Sequence, residues 1–133
     1  MPANFSLRIV TPSKTLFSGD VASLKVPGSE GSFGVLANHA SMVASLTSGE
    51  LDFVEDGDRR CLATSGGFVE VSGAGVTILA ETAEFNEDID VDRAEASRER
   101  ARQRLADSTN DRIRAEAALQ RALNRLKVAT GSA

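Results

Sequence analysis

The chain has 133 residues, of which 41% are hydrophobic and 26% charged, with a net charge of −4. That balance is ordinary for one globular domain, or for one domain with a small appendage. No apolar run approaches the roughly 20 residues that span a bilayer, which excludes a membrane-spanning helix. Met1-Pro2-Ala3-Asn4-Phe5 lacks a basic stretch followed by an apolar one, so no export signal is expected. Cys61 is the single cysteine, which excludes an internal disulfide and fits a reducing compartment. It reads as a small buried hydrophobe, because nothing brings the single histidine, His39, beside it. The net charge conceals an asymmetry. Residues 1–88 hold 5 Lys/Arg against 12 Asp/Glu, and residues 89–133 hold 10 against 7, so an acidic first part (−7) carries a basic second part (+3). The basic part should prefer anionic partners, whether phosphates or acidic protein surfaces.

In chain order, Phe5, Leu7 and Ile9 alternate with Ser6 and Arg8, the period of a half-buried strand. Thr11-Pro12-Ser13 is a turn. Residues 21–26 read as a strand stopped by Pro27-Gly28, and further strands are expected at 32–36, 40–44, 51–54, 61–64, 68–71 and 76–80. Glu55-Asp56-Gly57-Asp58 and Ser72-Gly73-Ala74-Gly75 look like hairpin tips. Many short strands at regular spacing predict a β-sandwich or barrel. Near residue 88 the texture changes. Gly and Pro vanish until Gly131, and Ala, Arg, Glu and Leu dominate, all strong helix formers. Asp88 or Asp90 is placed to cap a first helix, whose expected stripe is Val91, Ala94, Arg98, Ala101 and Leu105. Ser108-Thr109-Asn110 interrupts it, with Asn110 as the expected cap of a second helix. The stripe expected there is Ile113, Ala117, Leu119, Ala122, Leu123 and Leu126. So short a connection forces an antiparallel pair. The fold class is therefore α+β: a β-unit over 1–88 and a helical hairpin over 89–133. Stripes rich in Ala bury little area, so the hairpin is marginal by itself and must dock, with more than one docking open to it.

The segment Pro27-Gly28-Ser29-Glu30-Gly31-Ser32-Phe33-Gly34-Val35-Leu36-Ala37-Asn38-His39-Ala40 resembles the central signature of epsilon subunits of F-type ATP synthases. Ser65-Gly66-Gly67-Phe68-Val69-Glu70-Val71 and Val76-Thr77-Ile78-Leu79-Ala80 are similar to two more blocks of that family, in the same order, and Val10-Thr11-Pro12 and Leu16-Phe17-Ser18-Gly19 fit the opening. The likeness runs from about residue 5 to about residue 128. It implies a flattened β-sandwich followed by two antiparallel helices. It further implies a non-catalytic rotor subunit whose sandwich holds the gamma subunit and rests on the ring of c subunits, and whose helices reach the catalytic alpha/beta head. Glu30, Gly31, Ser32 and His39 match the family's ring-facing region. Ser32 stands where some relatives carry an acidic residue, so no charge pair with the ring is expected there. The same glycines also read as plain turn formers, no Gly-Lys-Ser/Thr follows to make a phosphate loop, and His39 has no metal-ligand companions.

Ile89-Asp90-Val91-Asp92-Arg93-Ala94 resembles the ATP-binding motif of some bacterial epsilon subunits, and Glu84, Arg100, Arg121 and Arg125 match further members of that set. The spacing has a chemical logic of its own. Arg93 and Arg100 are seven residues apart, nearly two turns, and share a helix face. Arg121 and Arg125 are one turn apart. In an antiparallel pair the four guanidinium groups are able to converge on a triphosphate. Glu84 or Asp90 would accept from the adenine amino group or ribose hydroxyls, and Ile89 and Ala94 would pack against the base. The resemblance implies that ATP favours the folded-down hairpin. Two other readings stay open: a solvated face with ordinary pairs such as Glu95 with Arg98 and Asp111 with Arg114, or a ridge for acidic segments of the catalytic head.

The reading that follows is a rotor subunit whose hairpin restrains ATP hydrolysis when extended and releases it when compact. A free-standing ATP-binding module is the alternative. No catalytic residues, metal or required cofactor are expected, since no nucleophile triad, paired histidine-glutamate motif or cofactor fingerprint is present. ATP is expected as a regulatory ligand, with no nucleic-acid partner. Membrane association is expected only through the complex, on the cytoplasmic face of a bacterial plasma membrane.

Overall fold

The computed structural model describes residues 4–37, 39–107 and 112–130. The chain divides into two compact units, Met1–Phe85 and Asn86–Ala133. The first is all β: β1 (Phe5–Val10), β2 (Thr15–Val21), β3 (Ser23–Val26), β4 (Phe33–Val35), β5 (Met42–Ser45), β6 (Gly49–Glu55), β7 (Asp58–Ser72) and β8 (Gly75–Phe85). The strand order is β2-β1-β8-β7-β6-β3-β4, with β5 also paired to β7. All pairs are antiparallel except β1 with β8.

The long strand β7 makes the sandwich. Its first half, from Asp58 to Thr64, pairs with β6, and its second half, from Phe68 to Val71, pairs with β5. Between them Gly66 and Gly67 take positive φ angles of 62° and 113°. A Cβ on Gly67 would overlap the Leu79 carbonyl oxygen of β8. The sequence reading ends one strand at 64 and starts another at 68. The chain instead runs through the glycines and bends, because their missing Cβ atoms let β7 turn against β8 without losing register. The reading also missed β2, where Thr15, Phe17 and Ser18 pair with β1.

Alternation then fills the space between the layers. Leu7 and Ile9 of β1, Leu51 and Phe53 of β6, Leu62 and Val69 of β7 and Ile78 of β8 are fully buried. Phe17 and Phe53 meet at a 4.5 Å centroid distance with their rings tilted by 44°, and Phe85 meets Phe53 edge-on at 6.5 Å. Each such side chain contributes about 1.5–3 kcal/mol by leaving water. The Arg60 guanidinium lies 4.1 Å over the Phe85 ring and closes that end of the core.

The second unit holds one 3-10 turn (Asn86–Asp88), α1 (Val91–Asp107) and α2 (Arg112–Thr130). Asp90 caps α1: its Oδ1 accepts from the Arg93 amide at 3.1 Å. Asn110, expected to cap α2, and Asp111, expected to pair with Arg114, lie outside the described residues. The helices pack along each other. A connection of four residues spans at most about 14 Å, well short of a 17-residue helix at 1.5 Å per residue, so the pair is antiparallel.

Ala94 and Ala101 of α1 are buried, with Arg98 and Leu105 half-buried between and beyond them. On α2 the buried line is Ala115, Ala122 and Leu126, with Leu119 and Ala129 half-buried. The expected α1 stripe therefore holds apart from Val91, which is 40% exposed. The α2 expectation needs correction: Ile113 (81%), Leu123 (41%) and Ala117 are exposed. Large residues drew the expected stripe toward themselves, whereas two close helices put Ala in the seam.

Candidate functional site

The β-unit presents two surface features. The first is the segment after β3. Gly28 and Gly31 hold a tight turn, with the Gly31 amide donating to the Gly28 carbonyl at 3.0 Å. A Cβ on Gly28 would lie 2.7 Å from the Gly31 oxygen, and Gly31 has a φ of 124°, so both positions are restricted to glycine. Ser29 anchors the turn, its amide donating to Ser45 O and its hydroxyl accepting from Ser45 Oγ at 3.0 Å. Glu30, Gly31 and Ser32 are thereby held out in solvent. His39 is half-buried, and its Nδ1 donates to the Ala40 carbonyl at 2.8 Å. His39 shares the lining of an open cavity of about 330 Å³ with Leu36, Phe5 and the 72–75 turn.

The second feature is one that the sequence reading missed. On the outer face of the sheet, Phe68 of β7 is 54% exposed and stands opposite Leu79 of β8, which is 50% exposed. Leu79 in turn stands beside Val10 of β1. Val43 of β5, 67% exposed and paired with Glu70, extends the patch diagonally. Alternation carried the signal, because the inward phase of Val69, Val71, Ile78 and Ala80 forces Phe68 and Leu79 outward.

Cys61 corrects another expectation. It is only half-buried, on the polar face of β7, near an ion-pair cluster in which Arg59 meets Glu50 at 2.9 Å and Asp52 at 3.1 Å. Partial burial pushes its thiol above the ordinary range despite the opposing Arg59 charge, so it remains protonated and poorly nucleophilic at neutral pH. Among the described residues, no three His, Cys, Asp or Glu side chains gather to hold a metal ion.

The nucleotide set falls into both units. Glu84 is half-buried on β8, opposite Ala63. In the helical unit, Ile89 and Ala94 are buried and serve packing, whereas Asp90, Arg93, Arg100 and Arg121 are exposed and Arg125 is half-buried. Arg93 and Arg100 each precede a seam residue of α1, and Arg121 and Arg125 each precede one of α2. In an antiparallel pair, positions with the same offset from the seam lie on the same side. All four arginines therefore share one side of the hairpin. Folding about residues 108–111 sets Arg100 about level with Arg121, and Arg93 within about two residues of the level of Arg125. The ridge they form is about 10 Å long. Arg100 is steadied by donating to Ser97 Oγ at 3.0 Å. Beside that side, Glu95 and Glu99 pair with Arg98 and Arg102 at 2.6 and 3.9 Å, which confines these carboxylates to their own helix.

Comparison with known proteins bears on both units. Residues 4–86 match the family model described as the ATP synthase delta/epsilon chain beta-sandwich domain, and residues 87–130 match that of the delta/epsilon chain long alpha-helix domain. The ATP synthase epsilon chain of Nitratidesulfovibrio vulgaris (strain DP4) is 47% identical over 130 residues, covering 96% of this chain and 97% of that protein. The ATP synthase epsilon chain of Symbiobacterium thermophilum is 48% identical over 130 residues, covering 96% and 94%. A chain in the cryo-EM structure of the Euglena gracilis mitochondrial ATP synthase, comprising OSCP, F1 and the c-ring, superposes with a TM-score of 0.78 at 30% identity, over 90% of this chain and 78% of that one. The β-sandwich followed by paired helices, and the match to epsilon chains over nearly all of their length, place the protein: it belongs to the ATP synthase delta/epsilon chain family, as a non-catalytic subunit of the rotor stalk.

Proposed function

We propose that the chain is a regulated coupling between the rotor shaft and the proton-driven ring, with its β-unit as the coupling and its helical unit as an ATP-sensing brake on hydrolysis. The exposed Phe68, Leu79 and Val43, with half-buried Val10 beside Leu79, support docking of the gamma subunit, since contiguous apolar surface on a sheet face marks a partner. Glu30, Gly31, Ser32 and His39, held out by the Gly28–Gly31 turn, are the proposed contact with the c-subunit ring. No helix among the described residues is long and apolar enough to cross a membrane. Membrane association then comes through the complex, on the cytoplasmic face of a bacterial plasma membrane.

The observation that carries the regulatory reading is the arginine side of the hairpin. Arg93, Arg100, Arg121 and Arg125 present forked donors along a ridge suited to a chain of phosphates. Asp90 keeps one carboxylate oxygen beyond its capping bond and accepts from the ribose or the adenine amino group. The ridge exists only while the helices lie side by side, so ATP bound there stabilises the compact form. When the helices part, the same arginines meet acidic surface on the catalytic alpha/beta head instead.

Calorimetric titration of the full chain with ATP tests this. Saturable binding is expected, weakened at least tenfold in an Arg93→Ala/Arg121→Ala variant because two charge-assisted contacts are lost (about 1.5–3 kcal/mol each). Absence of binding at millimolar ATP would remove the nucleotide-sensing reading and leave the stalk assignment intact.

A further inference from the structure

We infer that Arg98 is a built-in weak layer of the hairpin seam that sets how easily α1 and α2 part. Folding about residues 108–111 sets Leu105 level with Ala115, Ala101 with Leu119 and Ala94 with Leu126. By this count a large apolar residue falls opposite a small one in each of these layers. The layer between them sets Arg98 level with Ala122, so the arginine stands where the pattern calls for leucine. Its stem has the length to fill that slot. The head of the side chain is only partly provided for. Nε is buried and, among the described residues, is the buried side-chain nitrogen or oxygen with no hydrogen-bond partner. The terminal nitrogen is held by Glu95 at 2.6 Å, three residues earlier on the same helix.

That ion pair lies within α1 and holds nothing across the seam. The unmet Nε–H burdens only the closed pair, since parting the helices returns it to water. Arg98 thus raises the free energy of the closed form without adding to that of the open one. This deepens the proposed regulatory role and rests on it: two docking states that exchange under control must lie close in free energy.

Hydrogen exchange on the full chain tests the inference. Arg98→Leu keeps the large side chain and removes the buried donor, so amides of α1 and α2 should exchange roughly tenfold more slowly, with β7 and β8 unchanged as internal reference. Arg98→Met, whose unbranched side chain follows the arginine stem, should do the same if the shape of leucine fits poorly. Unchanged or faster helix exchange in both variants would overturn the inference. Slower exchange without any change in ATP hydrolysis by the assembled synthase would confirm the weak layer and refute the switch.

Discussion

Gly57 and Gly67 both have positive φ angles, 84° and 113°, yet they differ in what surrounds them. Gly57 sits at the tip between β6 and β7 with open space where a Cβ would project, whereas Gly67 is pressed against the backbone of β8. Gly57→Ala should therefore cost only the conformational strain, about 1 kcal/mol. Gly67→Ala should cost about 3 kcal/mol or more, because relief requires β8 to move. Urea denaturation of the two variants checks the difference, and equal losses would contradict the role of Gly67 as the bend of the sandwich. The sequence made the glycine pair visible but not its function, since Ser65-Gly66-Gly67 is equally consistent with a strand end. Only the pairing of one continuous strand with β6 and then β5 separates the readings. Cys61 was misread for a related reason. Composition favours burial, while the alternation of Leu62 inward puts Cys61 on the polar face beside Arg59.

At the level of elements, sandwich and hairpin were both legible, because the change from period two to helix-forming composition near residue 88 is abrupt. The phase of α2 was not. Ile113, Leu119, Leu123 and Leu126 do not share one face, and hydropathy alone ranks them above Ala115 and Ala122. Close approach of two helices reverses that ranking, because small side chains at the seam let the backbones near each other. Ile113→Gln should then leave the helical unit within about 0.5 kcal/mol of the parent, as expected for an exposed position. Ala115→Leu should lose about 1–3 kcal/mol by overpacking. Thermal melting followed by helical circular dichroism distinguishes them, and a larger loss at Ile113 would restore the stripe read from sequence. The arginine side depends on this phase too. Spacing showed that Arg93 and Arg100 share a face and that Arg121 and Arg125 share one. That the two faces point the same way follows only once Ala94, Ala101, Ala115 and Ala122 are known to form the seam.

For the whole molecule, the division of labour follows from where stability resides. The β-unit has a continuous core of buried large side chains, which suits the fixed coupling proposed for it. The helical unit has a seam of alanines, a single arginine layer and a ridge of cationic side chains, which suits a part that changes partners. Membership in the complex was legible only through family resemblance, because no periodicity names a docking surface. The stripe of Phe68 and Leu79 emerged from the register of β7 against β8. The claim that the helical unit regulates the synthase is tested most directly by the rate of ATP hydrolysis of the assembled complex carrying either the full chain or a chain lacking residues 90–133. Hydrolysis is expected to be faster with the shortened chain, since the proposed brake is removed while the β-unit is kept. Equal rates with both chains would contradict a regulatory role for the helices.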